Sequence, residues 1–592
     1  MNRNFGRTWI LMLSLLACQV FASQAMATDE TFCPGSPEDD GRRNPDATAH
    51  SVPKPAVPET AWLHECLRRG TVRIISRNDR ASGVLINREG IILTVAHGVP
   101  EPTPGQEAPM VRVVLPQHQV AIATIRHRDS HCDLAVLQLA DPSVIGQFDM
   151  QPIPLAMEMP VSPPEGPGTF VLSSGLPARE PNHSSTVVRL GTITHQTERS
   201  FRTTCALSVG DSGGPVINLR GQLLGVHRQI GFDLTSNHHV TLEVVRQFLT
   251  DSKVASVPRE IPGQAERNLS EELERALNHL PSELHTLAQD RTVIVETRTK
   301  DTEDHSDAVR DQQRWKRVGL GTRLGNGLVA TKRSLLDDHG IVVRDEVPRH
   351  FIRCVGRHGK RFSARVVATD QATDITILRL DISDDDRMQP LPNPESIFVD
   401  HPVAATLQPD STLKLGWLSR TMHDEPAAEG KFGMRFSLSD KAEIVVESVS
   451  PNSTGTDAMI RTGDRIHAIN GQTLSGFEDV ERIHQSNQPG DWLQFDLWRN
   501  GQARTTGARM GSDPGAMFHR AEFLDGRVGP LSERRTGFRQ IMQCDIPVQP
   551  DDCGGPLIDA RGRIIGVIIA RRARESTLVL PIQSVVDRIP AQ

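Results

Sequence analysis

Two stretches far apart in this chain say nearly the same thing. Residues 213–226 read GGPVINLRGQLLGV and residues 554–567 read GGPLIDARGRIIGV, agreeing at more than half their positions. A second pair, DLAVLQL at 133–139 and DITILRL at 374–380, stands upstream of the first in the same order. Such agreement indicates internal duplication, so one fold has to serve twice. A chain of 592 residues is in any case too long for one core, since domains of about 150 residues are usual.

Around both pairs run short β-type segments broken by Gly, Pro and Asn, such as Thr71-Val72-Arg73-Ile74-Ile75, Ile91-Ile92-Leu93 and Phe170-Val171-Leu172. That pattern predicts an all-β chain built of two double-barrel units. The first unit is expected over 59–252, ending in a helix from Leu242 to Leu249. A polar linker and one amphipathic helix, Ser270 to Gln289, fill 253–290, with Leu273, Ala276, Leu277 and Leu280 at helical spacing. The second unit is expected over 291–427 and 512–592, interrupted by an inserted domain over 428–511.

The first unit carries Thr94-Val95-Ala96-His97-Gly98, then Asp133, then Gly210-Asp211-Ser212-Gly213-Gly214-Pro215. A serine hydroxyl is a poor nucleophile at neutral pH. It needs an imidazole to take its proton and a carboxylate to fix that imidazole's tautomer. His97, Asp133 and Ser212 are the candidates for these roles, in the chain order of the chymotrypsin-type double barrel. Asp129 is the rival carboxylate, but Asp133 has a counterpart, Asp374, directly ahead of the matching apolar run. Gly210 lets the backbone turn so that its N–H and that of Ser212 face a developing oxyanion.

In the second unit, Gly327-Leu328-Val329-Ala330-Thr331 aligns with Gly90-Ile91-Ile92-Leu93-Thr94, which puts Ser334 where the histidine should be. Asp374 survives, but Gln549-Pro550-Asp551-Asp552-Cys553 replaces the nucleophile turn. Cys553 then stands at the serine position with nothing basic in sequence beside it. The oxyanion glycine becomes Asp551, whose charge opposes an anion and whose side chain is disfavoured at positive φ. This unit reads as catalytically silent, Cys553 being a small buried residue; a thiol nucleophile of lowered pKa is the other reading. The inserted domain carries Phe432-Gly433-Met434 and then Gly463-Asp464-Arg465-Ile466-His467-Ala468-Ile469-Asn470-Gly471.

On these motifs the chain resembles the HtrA/DegP family of exported, PDZ-bearing, trypsin-like serine proteases. The G-D-x-I-x-x-I-N-G run is the PDZ signature. The resemblance implies two chymotrypsin-like double barrels, the second interrupted by a PDZ-like domain, and hydrolysis of peptide bonds in protein substrates through an acyl-enzyme. It further implies that an extended peptide, held by its C-terminal carboxylate, adds as a strand near Phe432, Gly433 and Met434; docking against its own chain is the alternative for this domain. In contrast to the family's usual arrangement, the PDZ lies inside the silent copy. Gly225-Val226-His227 also resembles the glutamyl endopeptidase branch, which implies that His227 lines a pocket for an acidic side chain; a partly exposed strand histidine is the plainer reading. A second function class remains, an exported scaffold or chaperone whose protease folds are both silent.

Composition narrows the partners. Net charge is −7 with no basic tract, which argues against nucleic acid. Tyrosine is absent, so no Tyr acid or base is available. The basic, then apolar, then Ala25-Met26-Ala27 start predicts an export signal over 1–27, followed by a flexible leader over 28–58. The run Leu15-Leu16-Ala17-Cys18 offers lipidation at Cys18 as the alternative, the one route to a membrane. Loss of Cys18 leaves seven of the eight cysteines, an odd number, so at least one thiol stays unpaired; Cys33–Cys66 is one pairing open to the chain. Their spacing fits no metal site, and no cofactor is expected.

Overall fold

The computed structural model describes residues 60–254, 264–299, 315–337, 350–382, 402–512 and 520–590, less 77–78, 103–107, 161–167, 179–185, 279–281, 440, 442 and 452. The export signal, the leader, Cys18 and Cys33 lie outside the described residues. The described residues form four closed six-stranded barrels. Their strands run from Thr71–Ser76 to Leu134–Leu139, from Phe170–Gly175 to Asn237–Thr241, from Thr292–Thr299 to Ile375–Leu380, and from Pro402–Thr406 to Ser576–Pro581. With strands lettered a to f in chain order, every barrel closes as a-b-c-f-e-d. The all-β, double-barrel expectation is borne out.

Between the second strand of the fourth barrel, Leu413–Glu425, and its third, Phe538–Cys544, the chain leaves to build another sheet. There, among the described residues, Met434–Leu438 is an edge strand, paired only with Ile444–Val449, and the helix Phe477–Ser486 belongs to the same region. Leaving a barrel between two neighbouring strands does not open it, because Leu418 still pairs with Cys544 and Glu425 with Phe538.

The expected single helix near 270–289 is two, Gln264–Asn278 and Ser282–Arg291. A proline, Pro281, stands between them in the sequence, and its ring and missing N–H disfavour a helix interior. Leu273 and Leu277 are buried in an apolar cluster shared by the first two barrels, together with Trp417 of the fourth. That core therefore crosses from one unit into the other. Burying a side chain of this size contributes about 1.5–3 kcal/mol, so the two units are joined by their apolar packing. Hydrogen bonds lock the same seam: Ser419 Oγ donates to Val188 O at 2.6 Å. Asp545 accepts from the backbone N–H groups of Leu190 and Trp417, each at 2.6 Å.

Candidate active site

The strands Ile91–Thr94 and Leu134–Leu139 are antiparallel neighbours, with Thr94 opposite Ala135. The residues just beyond those ends must therefore meet. His97 lies in a 3-10 turn, Ala96–Gly98, and Asp133 sits at φ 59°, a left-handed conformation that Asp tolerates better than most residues. Asp133 Oδ2 is 2.9 Å and Oδ1 3.0 Å from His97 Nδ1, and Oδ1 also accepts from the His97 backbone N–H at 3.1 Å. With Nδ1 donating to the carboxylate, Nε2 is left as the basic nitrogen. Burial pushes the Asp133 carboxyl up, but the His97 hydrogen bonds and the charges of His97 and Arg228 outweigh it and hold the carboxyl below its ordinary value. Arg228 Nε stands 3.5 Å from Asp133 Oδ2. Asp129 instead accepts from the His131 N–H and Cys132 Sγ.

Ser212 precedes the strand Pro215–Ile217 of the second barrel, yet its turn is fastened to the first. The Ser82 N–H donates to Ser212 O at 2.8 Å, and Ser82 Oγ donates to Gly210 O at 2.8 Å. Gly210 and Gly213 have φ of +101° and +89°. A Cβ on Gly213 would lie 2.2 Å from Ser82 O, so this close approach requires glycine. Behind the turn, Asp211 and Arg189 are both fully buried and paired at 2.9 Å. A cleft of about 1150 Å³, lined by His127, Asp129, Cys132, Glu243 and Phe248 among others, includes neither His97 nor Ser212.

His227 departs from both readings of the sequence. It is fully buried, its Nε2 donating to Ser174 O at 3.1 Å and its Nδ1 3.1 Å from His239 Nδ1. A carbonyl can only accept, so His227 carries its proton on Nε2, and His239 Nδ1 is the donor between the rings. His239 Nε2 then accepts from Thr203 Oγ1 at 2.8 Å. Burial drives both imidazoles toward the neutral form, His239 down to about 3. With both ring nitrogens committed inside the barrel, His227 has none to offer an acidic substrate.

The second unit repeats the backbone and not the chemistry. Asp374 sits at φ 58°, and its Oδ1 accepts from the Ser334 N–H at 2.8 Å while its Oδ2 accepts from Ser334 Oγ at 2.8 Å. Leu320 N–H donates to Cys553 O at 2.9 Å, as Ser82 does to Ser212. Asp551, expected at a strained positive φ, lies instead in the 3-10 turn Pro550–Asp552, so the backbone is rebuilt there. The expectation that nothing basic stands beside Cys553 also fails. Lys332 is buried, 3.2 Å from Asp374 Oδ2, and its charge acts on the Cys553 thiol. Burial still wins and raises that thiol. Lys332 was missed because it occupies the position of the apolar Val95, between the aligned threonine and the position of the base, where no reacting group is expected. Lys332 Nζ also donates to the carbonyls of Ile569 and Arg534, at 2.6 and 2.9 Å, and Ser532 Oγ lies 3.7 Å from Cys553 Sγ. The chain's own residues 532–534 thus cover this second site.

Residues 81–226 match the family model described as trypsin-like peptidase domain, and residues 421–497 match that of the PDZ domain. A protein named probable periplasmic serine endoprotease DegP-like from Rhizobium meliloti (strain 1021) is 26% identical over 161 residues, 27% of this chain and 31% of the relative. One of the same name from Marinomonas sp. (strain MWYL1) is 28% identical over 196 residues, 30% of this chain and 37% of the relative. Serine protease HTRA1B of Danio rerio is 26% identical over 184 residues, 29% of this chain and 34% of the relative. The chain thus spans about a third of the length of the curated relatives it matches. The crystal structure of the serine endoprotease from Yersinia pestis aligns with 77% of this chain and 98% of its own at 14% identity, with a TM-score of 0.27, too low to carry weight. By its two matched domains and these relatives, the chain is similar to the HtrA/DegP-like serine proteases, with a trypsin-like peptidase domain ahead of a PDZ domain.

Proposed function

We propose that this protein is an exported serine endopeptidase that cuts protein substrates in its first unit and uses its second, silent unit with the PDZ domain to bind substrate or partners. The observation that supports it most is the His97–Asp133 couple, with two carboxylate oxygens on one imidazole nitrogen and a third bond to the backbone. In the reaction Ser212 Oγ attacks the substrate carbonyl carbon while His97 Nε2 takes the hydroxyl proton. The Gly210 and Ser212 N–H groups hold the oxyanion. His97 then protonates the amine nitrogen as the C–N bond breaks, and water repeats the sequence on the acyl-enzyme. Losing one oxyanion donor typically costs about a hundred- to a thousandfold in rate.

For the PDZ domain, the open edge of Met434–Leu438 offers backbone groups to an added peptide strand. Phe432 is packed against His484 of the helix Phe477–Ser486, ring centroids 5.2 Å apart, which sets the spacing of the groove's two walls. Contacts of this domain with the second unit include Arg509 to Ser334 O at 2.6 Å and Arg534 to Asp491, away from that edge strand. Both peptide capture and self-docking are thus served by different residues.

Labelling with a fluorophosphonate tests the assignment. The wild type reacts and Ser212→Ala does not. A wild type that never reacts, with or without peptides present, leaves the silent scaffold as the function.

A further inference from the structure

The silent unit reaches into the first unit at one point next to the reactive turn. Arg574 stands at the tip of the hairpin joining the strands Ile564–Ala573 and Ser576–Pro581 of the fourth barrel, and it is 2% exposed. Its NH2 group donates to Gly231 O at 3.3 Å, Asp233 O at 3.1 Å and Asn237 Oδ1 at 3.5 Å. Its backbone N–H is held in turn by Asp525 Oδ1 at 3.2 Å. From the helix Arg520–Arg527 that carries Asp525, Arg527 covers the ring of Phe232 at 5.5 Å, although that ring is 85% exposed. All of these first-unit groups lie on one loop, residues 230–236, or on Asn237 at its end.

That loop is not remote from the chemistry. It joins the strand Leu223–Gln229 to the strand Asn237–Thr241. The first of these is bonded directly to the nucleophile turn, since Gly213 N–H donates to His227 O at 2.8 Å and His227 N–H donates to Gly214 O at 2.9 Å. The register shifts between His227 and Gln229, and Arg228, at that irregularity, points to Asp133. Residues 228–230 therefore lead from the strand bonded to the nucleophile turn into this loop, and their course depends on what holds the loop that follows. Gly231 N–H finds Asn237 Oδ1 within the loop, at 3.3 Å. The carbonyls of Gly231 and Asp233 are held from the other unit.

We propose that Arg574 is a positioning residue for the first unit's substrate pocket: the silent copy supplies, in cis, the cation that fixes the loop flanking Ser212. The inference rests on the serine endopeptidase reading above and extends it to the second unit. A guanidinium suits the task, being planar, always charged and able to serve several carbonyl acceptors from one rigid group. The Asp211 carboxylate is also among the charges acting on it. The second unit then does more than present a PDZ domain; it completes the wall against which a substrate is held.

The test uses the full-length protein, with two readouts that a merely structural role would move together. One is kcat/KM for hydrolysis of peptides; the other is the labelling rate of Ser212 by a small fluorophosphonate without a peptide portion. Arg574→Ala lowers the first about tenfold or more, as misplacement of a pocket wall does. It leaves the second within about threefold, because His97 and Asp133 belong to the other barrel. Arg574→Lys keeps the charge, but its ammonium sits one bond short of where Nη2 meets the loop, so it falls between; should Arg574→Ala not fold, this variant decides alone. Unchanged peptide hydrolysis in a folded variant, or equal loss in both readouts, overturns the proposal. A wild type that takes no label at all would instead overturn the protease reading on which it stands.

Discussion

From Thr94 to Gly214 in the first unit and from Thr331 to Gly555 in the second, the backbone makes the same bonds. Thr94 Oγ1 donates to Ser82 O and Thr331 Oγ1 to Leu320 O; Gly213 N–H donates to His227 O and Gly554 N–H to Ile568 O; His227 N–H donates to Gly214 O and Ile568 N–H to Gly555 O. Side chains at the reacting positions differ at every point but the aspartate. His97 is 52% exposed and Ser334 3%, while Cys553 is wholly buried. The barrel junction is thus held by main-chain groups and a buried threonine, none of which takes part in chemistry. Such a frame tolerates the loss of its imidazole and its hydroxyl, provided the surviving carboxylate finds a new partner. Lys332 and Ser334 are that partner in the second unit.

The two aspartates give the largest test of this contrast. Asp133→Asn keeps the shape but presents an amide to His97, so the imidazole is held in the wrong tautomer. Turnover of peptides should fall about ten-thousandfold in steady-state assays, with the fold unchanged by circular dichroism. A loss below about tenfold would mean that His97 does not depend on this carboxylate, and the distinction between the units would shrink to a difference of exposure.

A smaller but still large effect separates the cations. Lys332 and Asp374 are 3% and 0% exposed, whereas Arg228 beside Asp133 is 43% exposed. Breaking a buried pair from one side leaves an uncompensated charge and costs about 3–5 kcal/mol. A solvent-screened pair contributes about 0–1 kcal/mol. Lys332→Met should therefore lower the stability read by urea unfolding by the first amount, and Arg228→Ala by no more than the second. Equal losses would show that the second site is not a structural core in place of a reactive one.

How much of this could be read beforehand follows the same line. Strand-to-strand repeats and the Gly210 to Pro215 turn carry local signals, so the barrels and the pairing of His97 with Asp133 were legible from motif and order. What could not be read was whatever depends on packing between distant segments. Arg189 looks like one more residue in a β run, but it pairs with Asp211 in the interior. Lys332 hides at a position that is Val95 in the sister copy. His227 carries a family-like motif, but its burial depends on His239 and Ser174 from other strands. Arg574 and Asp545 matter only because the two units share a seam, and no local pattern announces a seam.

That seam gives the smallest expected effect, and it decides whether the units may be compared as parts of one body. Asp133, partly open to solvent, has its carboxyl held low by partners; Asp545, buried, has that burial push its carboxyl up to about 7, against the Trp417 and Leu190 N–H groups and the charge of Arg189. Its other titratable neighbours, Cys205 and Cys544, are raised by burial, Cys205 to about 11, so neither changes state near neutrality. In the unfolded chain an aspartate ionises near pH 4, at about 3.9. Between that value and about 7 the folded protein therefore binds a proton that the unfolded chain has lost. Stability from this group is full at low pH and disappears as pH rises through 7. From pH 6 to pH 8 the wild type should lose about 1 kcal/mol more than Asp545→Asn does, measured as the difference between their urea midpoints at each pH. A difference that stays constant across this window would mean that the carboxylate remains ionised at the seam. The two backbone N–H donors and Arg189 would then outweigh burial there, as His97 and Arg228 do for Asp133.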